Sequence, residues 1–374
     1  MRRTRIELGS LDLGAMDRKF ILTMLTMIVS LVVSMAVMMD ARPTPLLSIV
    51  DSEGASAAQS TGRKLLKLVR NQLVLPYHNG PLLTRRSSSL NIYIIWYGDF
   101  SPAQKSAIVD FLDSFKQTPE EVLHPSVSSW WKMMAGYNDA SAQDDAVVPF
   151  SSPLLAGQRS VAYTLGKRLK TPDIEALVAE SLATSSSTSA FPADSNAMYF
   201  VLTAHDVFVQ NFCMSSCASH DFFTSPPATP LPVHNSPMML LPYAWVGNSA
   251  DQCPGLCAWP FALPQFGPLG AKPLIPPNGD IGIDGMVINM ANMLAGAATN
   301  PFNNGYYQGD ASAPLEAATA CAGIYGPGAY PGFPGELLVQ PISRSSYNAQ
   351  GVNGRQFLLP ALWNPATLTC TPPS

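Results

Sequence analysis

The sequence predicts an α/β fold: a single body with a central, mostly buried sheet flanked by helices, long Pro/Gly-rich loops and disulfides. Three observations lead there. Short runs such as Leu90 to Tyr97 are apolar at both parities, which fits strands buried on both faces. Between them lie segments with apolar residues at helical spacing, and strands alternating with helices argue for α/β, leaving parallel and mixed pairing both open. The chain also carries 34 prolines, 26 glycines and an even count of six cysteines.

The N-terminus reads as an export signal. Arg2, Arg3, Arg5, Arg18 and Lys19 precede an uncharged apolar run from Phe20 to Met39. Ser34 and Ala36 place small residues at the −3 and −1 positions of a cleavage site, so residues 1–41 are expected to be a signal peptide and a short flank. The run is also long enough to stay in the bilayer as a signal anchor. Translation from Met16 would give a more compact signal. Pro43 and Pro45 stop any helix from continuing. Residues 42–88, with the basic patch Arg63 to Lys67, read as a solvated leader that packs late, if at all, and the body as 89–374.

Within the body, Leu90 to Tyr97 is the first strand. Ser101-Pro102-Ala103-Gln104 then supplies an N-cap, a proline at N1 and a glutamine at N3, the pattern of a capping box. Ile108, Phe111, Leu112 and Phe115 follow at i, i+3, i+4 and i+7, so this helix lays one face on the sheet. A second helix opens at Thr171-Pro172-Asp173, with its acid suited to the helix dipole, and carries Ile174, Leu177, Val178 and Leu182. Strands are expected at Ala197 to Leu202 and Met238 to Val246. A third helix is expected from about Asp284 to Thr299, stopped by Asn300-Pro301.

Composition narrows the function classes. Charged residues are 13% and the net charge is −4, with no basic block beyond the N-terminal region, which leaves no electrostatic footprint for nucleic acid. Hydrophobic residues at 47% are ample for a core. Cys213, Cys217, Cys253, Cys257, Cys321 and Cys370 all follow the export segment, so they read as disulfides with 15 connectivities open. Two C-x3-C pairs could instead hold zinc, but that spacing is at the edge of structural-zinc patterns, and thiolates in an oxidising space pair with one another.

Few residues look catalytic. His205-Asp206 would point to opposite faces of a strand, so a direct dyad is not expected, and loop hydrogen bonds are the better reading. His220-Asp221 reads as the cap of a turn. Asp280 and Asp284 in NGDIGIDG lack the further acids of a calcium loop. No G-x-S-x-G, Walker or dinucleotide fingerprint occurs. Trp130, Trp131 and Trp259 are expected in packing, with stacking on sugar rings as the alternative if exposed.

Longer stretches carry a resemblance: Ile92 to Gly98 followed by SPAQKSAIVDFL, Pro125 to Trp131, LTAHDVFVQNFC at 202–213, LPYAWVGNSADQCPGLCAWPFA at 241–262, and the tail from PPNGDIGIDGMV to LWNPATLTC. Taken in order over about residues 60–370, they are similar to the plant EXORDIUM, or phosphate-induced, family of secreted proteins. The resemblance implies an apoplastic or wall-associated protein tied to brassinosteroid-dependent cell expansion and to growth under limited carbon. Some relatives carry His-Glu-x-x-Glu on the third helix, a spacing that places metal ligands on one helix face with a base beside them. Here those positions are Asn292, Met293 and Gly296, and an acid that relatives place three residues after Glu316 is Thr319. The resemblance thus implies descent from a zincin-like metallohydrolase with its site lost; the remaining polar stripe reads as packing, with Gly296 for close helix contact and Asn289 and Asn292 bonding a neighbouring loop, and alternatively as a vestigial pocket of Asn289, Asn292, Gly296 and Glu316.

A non-enzymatic secreted protein is therefore expected, without metal or cofactor, promoting growth by binding a wall polymer or a cell-surface protein. A membrane enters only if the N-terminal segment is retained. The alternative is a secreted hydrolase of wall peptides or glycans.

Overall fold

The computed structural model describes residues 73–85, 89–118, 123–139, 150–183, 190–225, 238–266, 270–310 and 313–373. The expected signal peptide, and the leader up to residue 72, lie outside the described residues.

Five strands form the central sheet: β1 (Ser89–Tyr97), β2 (Ser152–Val161), β3 (Ala197–Thr203), β4 (Ala218–Ser225) and β5 (Met239–Gly247). Their spatial order is β2-β1-β3-β5-β4. The first four in that order run parallel, and β4 pairs antiparallel with β5 at one edge. Five helices accompany them: α1 (Pro102–Asp113), α2 (Val127–Lys132), α3 (Thr171–Ala183), α4 (Pro254–Cys257) and α5 (Ile281–Thr299).

The both-parity apolar pattern has a direct cause. On β1, Ile92, Ile94 and Trp96 enter one core with α1, α2 and α5, while Tyr93, Ile95 and Tyr97 enter a second core with Ile174, Leu177 and Val178 of α3. Strand β3 divides likewise, with Met198, Phe200 and Leu202 on the first face and Tyr199 and Val201 on the second. Helices cover both faces, as parallel sheets require.

The helix starts agree with their capping chemistry. Ser101 Oγ accepts from Gln104 N and Gln104 Oε1 accepts from Ser101 N, the reciprocal pair expected of a capping box. Helix α5 begins three residues before the expected Asp284, because Asp280 Oδ1 accepts from Ile283 N and caps the helix there. Among the described residues, α5 is the one helix long and apolar enough to cross a membrane. Here it is the core helix, with Ile283, Met286, Val287, Met290, Ala291 and Leu294 all buried.

Two strands of the central sheet escaped the sequence reading. Edge strand β2, SPLLAGQRSV, is only intermittently buried and lacks an apolar run. Edge strand β4, ASHDFFTS, contains the His220-Asp221 pair expected to cap a turn; His220 is instead mid-strand, opposite Ala244 of β5. A third difference concerns residues 42–88. Leu75, Leu82 and Leu83 are buried, and Tyr77 stacks on Tyr306 with centroids 4.6 Å apart. Residues 73–85 therefore pack into the body, because these leucines supply apolar surface that the core encloses, rather than standing off as a solvated leader.

Trp130 and Trp131 are buried to within 1% of full enclosure, and their indole N–H groups donate to the Pro360 and Ser151 carbonyls at 2.8 Å. They are packing residues. Trp259 is partly exposed and lines a cleft described below.

Candidate functional site

Helix α5, strand β4 and the loop from 313 to 325 meet where the vestigial pocket was expected. At its centre His220 Nε2 lies 2.8 Å from Glu316 Oε2, with both side chains nearly sealed from solvent. The other carboxylate oxygen accepts from Asn300 Nδ2 at 2.7 Å, and Asn300 Oδ1 accepts from Gly305 N at 2.8 Å. Thr319 Oγ1 accepts from Glu316 N, fixing the start of the turn that carries Glu316. Burial alone would favour a neutral His220 ring; the adjacent Glu316 carboxylate and its hydrogen bond outweigh that and raise the pKa above its ordinary value.

Gly296 explains how this pair fits against the helix. A Cβ there would stand 2.5 Å from Glu316 Oε2 and 3.2 Å from His220 Nε2, so any side chain collides with the ion pair. The helix face expected to hold a vestigial pocket thus splits. Gly296 and Glu316 are joined in a filled contact. Asn289 and Asn292 line a separate recess of about 230 Å³, together with Trp259, Thr319 and Tyr325. Asn289 Nδ2 donates to the Cys257 carbonyl, and Met293 faces the core. Sequence reasoning missed His220 and Asn300; a buried strand position for His220 was the signal available, hidden by the polar residues around it.

The cysteines pair as Cys213–Cys253, Cys217–Cys257 and Cys321–Cys370. This removes the zinc reading of the two C-x3-C motifs: spaced alike, they lie side by side and cross-link each other twice, tying the approach to β4 onto α4. The third bridge fastens the C-terminal strand region beside Ala361 and Trp363.

His205 and Asp206 turn to different partners, Asp251 for the histidine and Tyr163 and Lys167 for the aspartate, so no dyad forms. Asp280 and Asp284 likewise have separate tasks. Asp280 caps α5 and accepts from Gln104 Nε2, while Asp284 accepts from both the backbone and side-chain amides of Asn278. Burial pushes the Asp284 carboxyl up to about 7, against the partial relief given by the Asn278 hydrogen bonds.

The sign of the Asp284 effect follows. Its folded pKa is above its unfolded value, so the folded state holds the extra proton between about pH 4 and pH 7, and stability falls as pH rises through that window. The full shift corresponds to about 4 kcal/mol. Asp284→Asn is expected to flatten that part of the stability profile, measured as the urea midpoint against pH. An unchanged slope would show that Asp284 is not the titrating group.

A larger cleft of about 850 Å³ opens on the far side of Trp259, lined by Trp259, Lys272, Tyr330, Phe333 and Glu336 among others. Trp259 lines both the cleft and the small recess.

Comparison with known proteins places this architecture. The family profile described as "Phosphate-induced protein 1 conserved region" matches residues 75–373. Protein EXORDIUM-like 2 of Arabidopsis thaliana is 44% identical over 316 residues, covering 83% of this chain and 93% of the relative. Protein PHOSPHATE-INDUCED 1 of Nicotiana tabacum is 42% identical over 314 residues, covering 83% and 92%. Protein EXORDIUM of Arabidopsis thaliana is 44% identical over 315 residues, covering 83% and 93%. No solved structure matches, so the expected zincin-like relation has no support from a neighbour. With a profile match that begins at Leu75, where the described body starts to be buried, and relatives aligned over most of both chains, the chain belongs to the EXORDIUM, or phosphate-induced protein, family.

Proposed function

We propose that this protein is exported to the apoplast or cell wall and there promotes brassinosteroid-dependent cell expansion by binding, not by catalysis. Its partner in this reading is a wall polymer or a cell-surface protein. The observation that carries the extracellular part is the complete pairing of all six cysteines in three bridges, which persist in an oxidising compartment. The growth role is taken from the family resemblance. The non-catalytic part is supported by the α5 face: where ligand and base would stand are Asn292, Met293 and Gly296, and the space above Gly296 is filled by Glu316.

The test expresses the wild type and Gly296→Glu in a plant lacking the gene, and measures organ size with and without brassinosteroid alongside protein level. Wild type should restore growth. Gly296→Glu should accumulate poorly, because a second carboxylate is forced against a buried one, and should gain no activity. Unrestored growth at normal wild-type levels would remove the growth role. Stoichiometric zinc in the purified wild type, or turnover of a wall peptide or glycan, would replace this reading with the hydrolase alternative.

A further inference from the structure

The cleft beside Trp259 is built differently from the rest of the surface. Tyr330 and Phe333 stand at its mouth with ring centroids 5.1 Å apart, and Tyr330 is 65% exposed. They are the ends of one turn, Tyr330-Pro331-Gly332-Phe333, in which Phe333 N donates to Tyr330 O at 2.8 Å and Tyr330 N donates to Phe333 O at 3.1 Å. Gly332 has φ +91°, the value that the third position of a type II turn requires, and proline precedes it at the favoured second position. The base of the loop is pinned as well. Tyr325 N and Gly326 N both donate to Pro334 O, and Glu336 N donates to Pro327 O. An exposed tyrosine and a half-buried phenylalanine are thus held at the cleft with little backbone entropy left to lose on binding.

The other features narrow the occupant. The charged side chains lining the cleft are Lys272 and Glu336, one of each sign, so it carries no cationic field to attract a polyanion. Trp259 also lines the separate recess of Asn289 and Asn292. The Asn292 side chain has no hydrogen-bond partner among the described residues, so its carboxamide offers both a donor and an acceptor there. Exposed ring faces together with paired donors and acceptors match a ligand with apolar C–H faces and a rim of hydroxyls. The electron-rich face of an aromatic ring attracts such C–H groups.

We propose that this cleft binds a neutral glycan chain, with pyranose faces on Tyr330, Phe333 and Trp259 and hydroxyls toward Lys272 and Glu336. This rests on the reading that the protein acts by binding outside the cell, and it names the ligand class.

The experiment titrates the purified, disulfide-intact protein with cellohexaose and with soluble xyloglucan, following binding by calorimetry and by tryptophan fluorescence. Polygalacturonate and a proline-rich peptide are run alongside. The neutral glycans are expected to bind, with about tenfold weaker affinity for Tyr330→Ala and for Phe333→Ala, the effect of about 1.4 kcal/mol per ring. Tyr330 is exposed, so its alanine variant should keep the wild-type Tm. Trp259→Phe should abolish the glycan-induced fluorescence change, which gives a readout that does not depend on the alanine variants. Absence of binding to either neutral glycan, undiminished binding by the Tyr330→Ala/Phe333→Ala double variant, or preference for polygalacturonate or the peptide would each overturn the proposal. Because purified protein is used, failure here is distinguishable from failure of growth restoration in the plant.

Discussion

Glu316→Ala is expected to destabilise the protein by about 3–5 kcal/mol, the usual consequence of removing one member of a buried ion pair. The partner left behind is His220, whose side chain is 6% exposed and whose charged form depends on Glu316. Asn300 loses its acceptor in the same step, and the turn anchored through Gly305 loosens with it. Glu316→Gln should cost less, since an amide oxygen can still accept from Asn300. The pH dependence separates the charge from the packing. His220 has its folded pKa above the ordinary 6.5, so the stabilisation from the charged pair is fully present below pH 6.5 and is lost as pH rises through the folded value. The gap between wild type and Glu316→Gln should therefore be widest in mild acid and narrow toward alkaline pH, read as urea midpoints. A gap that does not change with pH would show that the charged pair is not what stabilises this contact.

The second large effect lies in the paired bridges, and it should be strongly non-additive. Cys213–Cys253 and Cys217–Cys257 each span 40 residues, but they are offset by the same four positions on both sides. With one bridge in place, the other closes a ring of only about ten residues, worth about 2–3 kcal/mol in the chain-entropy account. Once both are gone, the long loop is released as well, for a total of about 6–7 kcal/mol. Replacing Cys217 and Cys257 by serine should thus give a folded, weakened protein, and replacing all four cysteines should abolish accumulation of folded material. Additive losses, each near the long-loop value, would show that the bridges act independently. Removing Cys321–Cys370 should cost about 4 kcal/mol for its loop by the same relation.

Much of the interior was legible because its signals are local. The capping box at Ser101 and Gln104, and the two-sided apolar run at β1, need no knowledge of the rest of the chain. The edge strands were not legible, since an edge is half-solvated and its sequence can be as polar as a loop; β2 and β4 become strands only through the neighbours that pair with them. His220 illustrates the limit most clearly. Its local context reads as a turn, and its role comes from Glu316, far along the chain. The candidate site was half legible for the same reason. The helical spacing put Asn289, Asn292 and Gly296 on one face, but only the fold shows that Glu316 fills the space over Gly296 and that Trp259 lines the recess beside the asparagines. The aromatic turn at Tyr330 was readable as a type II turn in principle, from Pro331-Gly332, though nothing local says that it stands at the mouth of a cleft.

The strand order has a consequence for how the chain reaches this state. Tyr93 of β1 pairs with Gly157 on one side and with Tyr199 on the other, so even the nearer partner of β1 begins only at Ser152. Each pairing requires a long loop to close before any ladder hydrogen bonds repay it, the topology that slows folding. The antiparallel pairing of β4 with β5 closes the shortest loop in the sheet, from Ser225 to Met239. During synthesis β1 emerges before both of its partners, with two apolar faces and two open edges until β2 and then β3 arrive. A chain of this design is exposed to aggregation over that interval, and its yield is set by how quickly the later strands arrive.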